Sequence, residues 1–179
     1  MTTKSTLERL NVKTPYDTIS SDIGLLVLRV VFGGLLAAYG AQKLFGWFDG
    51  PGHANTVAMF EGMGYNPGEL FGTLAGLTEL VGGLMLALGL LTPLAAAIVL
   101  GTMINVINQM WSGGLLTGQG WSDGLLFAAV AAALAFTGPG RFSLDYGRPW
   151  YRVGFAWGAG AVVLAVVVAV LTLILKGAL

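Results

Sequence analysis

The chain has no cysteine, one histidine and few charges, and each shortage removes a class of chemistry. Without cysteine the polypeptide has no disulfide, no iron–sulfur ligation, no thiolate nucleophile and no covalent haem attachment. The single histidine, His53, cannot supply the axial pair of a membrane b-type haem. No group of His, Cys and carboxylate side chains has ligand spacing, so no metal site is expected. Nine basic residues cancel nine acidic ones, which leaves no global field to draw nucleic acid. Only 10% of the residues are charged, against about 25% in soluble domains. What is abundant is apolar: 55% of 179 residues are hydrophobic and the mean hydropathy is +0.77. That composition is an integral membrane protein's, and the class expected is all-α and polytopic.

A hydrocarbon core of about 30 Å takes about 20 apolar residues in a helix. Five segments qualify: Ile23 to Phe45, Leu70 to Leu91, Pro93 to Trp111, the shorter Gly124 to Thr137, and Phe155 to Leu175. Leu91, Thr92 and Pro93 alone separate the second and third, which predicts a tight helical hairpin with Pro93 in the first turn of the third helix. The longer loop Gly46 to Glu69 holds an amphipathic stretch, Ala54 to Met63, expected to lie on the membrane surface as a lid.

Basic residues near the spans set the expected orientation. Lys4, Arg9 and Lys13 precede the first span, and Arg141, Arg148 and Arg152 fall between the fourth and fifth. The other side has Lys43 and Lys176. The N-terminus is therefore expected in the cytoplasm and the C-terminus outside, with Trp47, Phe48, Trp111 and Trp121 at the outer interface and Trp150, Tyr151 and Trp157 at the inner one. Ala38-Tyr39-Gly40 loosely matches a signal-peptide cleavage site, but the long polar leader and the length of the apolar run favour a retained span.

Two full charges, Arg29 and Glu79, stand inside these apolar runs, where an unpaired charge costs roughly 3 kcal/mol on insertion scales. With a rise of about 1.5 Å per residue, Glu79 and Asn105 fall at similar depth and can meet across the hairpin. Arg29 can reach toward Glu79 or snorkel to lipid phosphates. Arg29, Glu79 and Asn105 thus form a candidate intramembrane polar or proton site. Two readings stand: a clamp that fixes helix register, or a titrating carboxylate that exchanges protons.

A second group collects near the outer ends of the spans: Gln42, Lys43, Asn108, Gln109 and Asp123. It is a candidate mouth for an anionic or quinonoid headgroup, with Lys43 as the cation and Asp123 its counter-ion. The alternative is interfacial capping, with Lys43 snorkelling outward. Gly72 and Gly76, Gly82-Gly83, and Gly158 and Gly160 are expected to let helices pack closely. His53, Glu61 and Glu69 read as solvated loop residues.

The first span closes with Tyr39-Gly40-Ala41-Gln42-Lys43-Leu44-Phe45-Gly46. The second carries Glu79-Leu80-Val81-Gly82-Gly83 and ends Gly89-Leu90-Leu91-Thr92-Pro93; the fourth leads to Gly138-Pro139-Gly140-Arg141-Phe142-Ser143-Leu144-Asp145. With the loop phrase Phe60-Glu61-Gly62-Met63-Gly64, these segments resemble the DoxX family of small bacterial membrane proteins over about Leu25 to Asp145. The resemblance implies a four-helix transmembrane bundle in the bacterial cytoplasmic membrane, here residues 23–145, after a cytoplasmic segment 1–22. Residues 146–179 add a linker and a fifth transmembrane helix, a potential docking surface. DoxD-type relatives form part of a thiosulfate:quinone oxidoreductase, and actinobacterial members associate with an oxidoreductase complex that contains superoxide dismutase and a thiosulfate sulfurtransferase. Tyr39 stands where many relatives have His, which removes a titratable group.

The resemblance implies an accessory subunit of an oxidoreductase system with membrane or redox protein partners and lipids around it, a quinone as the one cofactor expected and none bound covalently. A non-catalytic scaffold is the alternative. A carrier is weaker, because five spans do not divide into equivalent halves.

Overall fold

The computed structural model describes residues 15–117 and 120–178, and every described regular element is helical. In chain order these are α1 (Pro15–Phe45), α2 (Gly52–Gly62), α3 (Gly68–Leu88), α4 (Thr92–Met110) with a 3-10 turn at Trp111–Gly113, α5 (Ser122–Thr137) and α6 (Phe155–Ala178). Four helices, α1, α3, α4 and α6, are long and apolar enough to cross a membrane, and the chain is a multi-pass membrane protein. At 16 residues, α5 is about 24 Å long, short of the hydrocarbon core. α1 begins at Pro15, well before the expected Ile23. Lys4, Arg9 and Lys13, on which part of the expected orientation rests, lie outside the described residues.

The largest helix interface joins α1 to α3, and glycine creates it. A Cβ placed on Gly33 would lie 2.6 Å from Ala87 N and from Gly83 O; one on Gly83 would lie 2.6 Å from Ala37 N and from Gly33 O. Seven residues along α1, a Cβ on Gly40 would again meet backbone, 2.6 Å from Gly76 O, whereas one on Gly76 would lie 2.7 Å from the Leu44 side chain. Backbone meets backbone here, which maximises dispersion where water supplies no hydrophobic drive.

α4 then packs on α3, α5 on α4, and α6 on both α4 and α5; α1 and α5 meet over a short stretch only. The core centres on α4, with Ala95, Ala96, Val99, Leu100 and Met103 facing Phe127, Ala131 and Leu134 of α5. α6 docks through Ala161, Ala165 and Ala169, spaced one turn apart. Gly101 approaches Ala165 closely, and Val163, Val167, Val170 and Leu171 remain exposed on the other side of α6. Lys176 fixes its far end, donating to Gln109 Oε1 at 2.8 Å and lying 4.1 Å over the ring of Tyr65. Burial pushes the Tyr65 phenol above its ordinary range, so the ring that faces this cation is neutral.

The expected hairpin forms. Gly89 ends α3 in the left-handed conformation, Leu91 precedes α4, and Pro93 sits in the first turn. Leu91 has no side-chain oxygen to cap the new helix, and Asp145 supplies one from far along the chain. Its Oδ1 accepts from Leu91 N at 2.8 Å and Trp150 Nε1 at 3.0 Å; its Oδ2 accepts from Thr92 N and Thr92 Oγ1, both at 2.8 Å. Leu144 N and Asp145 N bond in turn to Leu88 O and Gly89 O. The segment 138–145 is thereby stitched onto the α3–α4 turn. Asp145→Ala should lower the apparent melting temperature of the detergent-solubilised protein by about 5 °C, a cap plus its hydrogen bonds, with Asp145→Asn intermediate. An alanine variant that melts with wild type would refute this capping role.

α2 is a fixed part of the opposite end, packed on α3 and against the end of α1. Thr56 Oγ1 donates to Lys43 O at 3.1 Å and Gly52 O at 2.9 Å. His53 is half-buried and hydrogen bonded to Thr73 Oγ1 at 2.7 Å, so it is not simply solvated as expected; Glu61 and Glu69 are exposed.

Candidate functional site

Because α1 and α3 touch at Gly40 and Gly76, a side chain one turn beyond Gly40 can reach into the bundle. Lys43 does so. Its Nζ lies 2.5 Å from Glu79 Oε2, and the two side chains are 28% and 5% exposed. This corrects two expectations: Lys43 reaches inward rather than snorkelling outward, and the counter-ion of Lys43 is Glu79, since Asp123 is exposed at the start of α5. The physical reason is reach. The lysine stem spans about one helical turn, the offset between the end of α1 and the middle of α3.

The ammonium also lies 5.9 Å from the centroid of the Tyr39 ring, which meets Phe127 of α5 edge-on at 6.1 Å. Tyr39 is 36% exposed where α1 approaches α5. The site is therefore a buried carboxylate whose cationic partner and neighbouring phenol are partly accessible. Such a set can donate hydrogen bonds from the ammonium to a carbonyl or oxyanion and hold a proton or a negative charge on Glu79.

Arg29 does not share this site. It lies at the other end of the bundle, 2% exposed, with Nη1 donating to Ala87 O at 2.7 Å and the Asp145 charge acting on it. The side chain extends toward the end of α3 rather than the middle, as a snorkelling arginine does. Asn105 donates to Gly101 O at 3.3 Å within its own helix, and its Oδ1 is buried without a partner among the described residues.

The outer group divides. Gln42 Nε2 donates to Phe48 O at 3.2 Å and closes the α1–α2 turn, Gln109 accepts from Lys176, Lys43 pairs with Glu79, and Asn108 is exposed. Sequence reasoning gave no role to Asp22 or Asp145. Asp22 Oδ1 accepts from Arg141 N at 3.0 Å and Asp22 Oδ2 lies 3.3 Å from Arg141 Nε. The readable signal for Asp145 is the Leu-Thr-Pro start of α4, a helix N-terminus without a capping residue of its own.

These observations define a class: a cysteine-free, multi-pass helical membrane protein with a buried glutamate paired to a partly accessible lysine. The DoxX family model matches residues 24–112, about half of the chain, and the chain belongs to the DoxX family. The match takes in most of α1 and all of α2, α3 and α4, so the ion pair lies within it, while α5, α6 and the Asp145 segment lie beyond it. No curated protein and no solved structure matches the chain.

Proposed function

We propose that this protein is an accessory subunit of an oxidoreductase or respiratory-chain-associated complex in the bacterial cytoplasmic membrane, with its N-terminus cytoplasmic, and that it meets a quinone headgroup at Lys43 and Glu79. The observation that carries the reading is the ion pair, one member sealed and the other accessible beside Tyr39. The donor set suits the headgroup. Lys43 offers hydrogen bonds to a carbonyl oxygen, Tyr39 an aromatic face, and Glu79 a place to hold a proton. A quinone supplies the electron-accepting chemistry that a chain with no cysteine and one histidine lacks.

Glu79→Gln should leave the bundle assembled and reduce the quinone-dependent turnover of the co-purified complex more than tenfold. Unchanged turnover in an assembled variant would sink the proton role. A scaffold function is the second reading, favoured by the exposed valine-rich side of α6, which offers a partner helix an apolar surface. It expects Glu79→Gln to lower stability and to leave the partner's turnover unchanged wherever assembly survives.

A further inference from the structure

The end of the bundle away from Lys43 holds an arginine whose hydrogen bonding is incomplete. A guanidinium has five N–H donors. That of Arg29 is almost wholly buried, yet among the described residues it makes one hydrogen bond, to Ala87 O, and its Nε has no partner. Leaving donors of a buried cation unmade is costly. Asp145 moderates the charge but not the donors, because both its oxygens are occupied by Leu91, Thr92 and Trp150.

Arg29 lines a shallow groove of about 450 Å³ together with Arg141. The Arg141 side chain is 52% exposed and engages Asp22 through Nε. Around these two cations the rim is apolar, formed by Val30, Leu88, Phe142 and Leu144, all about half exposed. Depth matters as well. A Cβ on Gly89 would lie 2.7 Å from Arg29 Nη1, which sets the guanidinium level with the α3–α4 turn, where the transmembrane run ends.

We propose that this groove is a binding site for the phosphate of an anionic phospholipid, held between Arg29 and Arg141 with its glycerol and upper acyl segments against the apolar rim. The phosphate oxygens offer acceptors to the part of the guanidinium that lines the groove, and the planar group suits paired contacts to them. The apolar rim selects a lipid over a free anion, since a soluble phosphate has nothing to place there. The site is independent of the quinone reading, being at the other end of the bundle.

The test uses the full-length protein, delipidated in detergent, with its apparent melting temperature read before and after addition of phosphatidylglycerol, phosphatidylcholine or inorganic phosphate. Phosphatidylglycerol at about a hundredfold excess over its Kd should raise the melting temperature by about 5 °C or more, and the other two should not. Arg141→Gln and Arg29→Lys should each lose at least half of that lipid-dependent shift, whatever they do to the starting value. Should Arg29→Lys fail to fold, Arg141→Gln decides alone, because its side chain is half exposed. No shift with phosphatidylglycerol, an equal shift with phosphatidylcholine, a full shift with inorganic phosphate, or an undiminished shift in the variants would each overturn the proposal.

Discussion

Gly40→Ala is expected to prevent the protein from reaching its native bundle, although alanine is the best helix former and the change adds one methyl group. The added Cβ would lie 2.6 Å from Gly76 O and 2.7 Å from Leu80 Cα. These are backbone atoms in the middle of a helix, so no rotamer change relieves the overlap, and α3 must move away from α1. That separation opens the largest interface of the fold and pulls Lys43 from Glu79. The cost should exceed about 4 kcal/mol, the range reached by severe core overpacking and broken networks together. Gly34→Ala is the matched control: its Cβ would meet nothing within 4 Å, and helix propensity favours it by about 1 kcal/mol. Fluorescence-detected size-exclusion chromatography and thermal unfolding in mild detergent compare the two. A Gly40→Ala protein that elutes and melts like the Gly34→Ala control would refute the backbone-contact account of this interface.

The contrast between these neighbouring glycines shows what a sequence exposes and what it withholds. Long apolar runs are legible because a bilayer imposes a length, and the spans and the α3–α4 hairpin follow from that constraint. The use of small residues to bring helices together is also legible as a rule. The partner is not. Gly82 faces Ile98 and Val99 of α4 while its neighbour Gly83 faces α1, and Gly158 lies against Phe136 while Gly160 faces open space. Periodicity tells which residues share a face of one helix; it carries no information on which other helix meets that face.

The polar residues divide in the same way. Depth along the helix put Glu79 in the interior, where it is. Its partner escaped because two long cations can each travel about a turn from their own Cα, and they travel in opposite senses. Arg29 extends toward the end of α3 and Lys43 toward the middle of it. Asp145 escaped for a different reason: its role depends on contacts 53 and 54 residues away in the chain, and no local pattern records them. The result is a bundle with two polar regions of unlike character. At one end Asp22 holds Arg141 while Asp145 caps Leu91 and Thr92, which fixes the turns. Toward the middle of α3 an ion pair joins the two helices packed most closely.

That ion pair gives the second large effect. Lys43→Met is expected to destabilise the protein by about 3 kcal/mol, since it strands a 5% exposed carboxylate that must then be protonated or stay unpaired. Glu79→Gln should cost less. Lys43 is 28% exposed and can turn toward the interface, and glutamine still offers it an acceptor. The double variant Lys43→Met with Glu79→Leu removes both charges of the pair and should recover most of the stability lost by Lys43→Met alone, a coupling above about 1 kcal/mol in the double-mutant cycle. Apparent melting temperatures of the four proteins measure it, and additive losses would show that the pair does not interact in the membrane. The double variant also separates the two functional readings, because it restores the fold without restoring the chemistry. If the pair only clamps α1 to α3, a complex carrying the double variant turns over like wild type. If Lys43 and Glu79 meet a quinone, the same complex is assembled, stable and inactive, a combination that a loss of folding cannot produce.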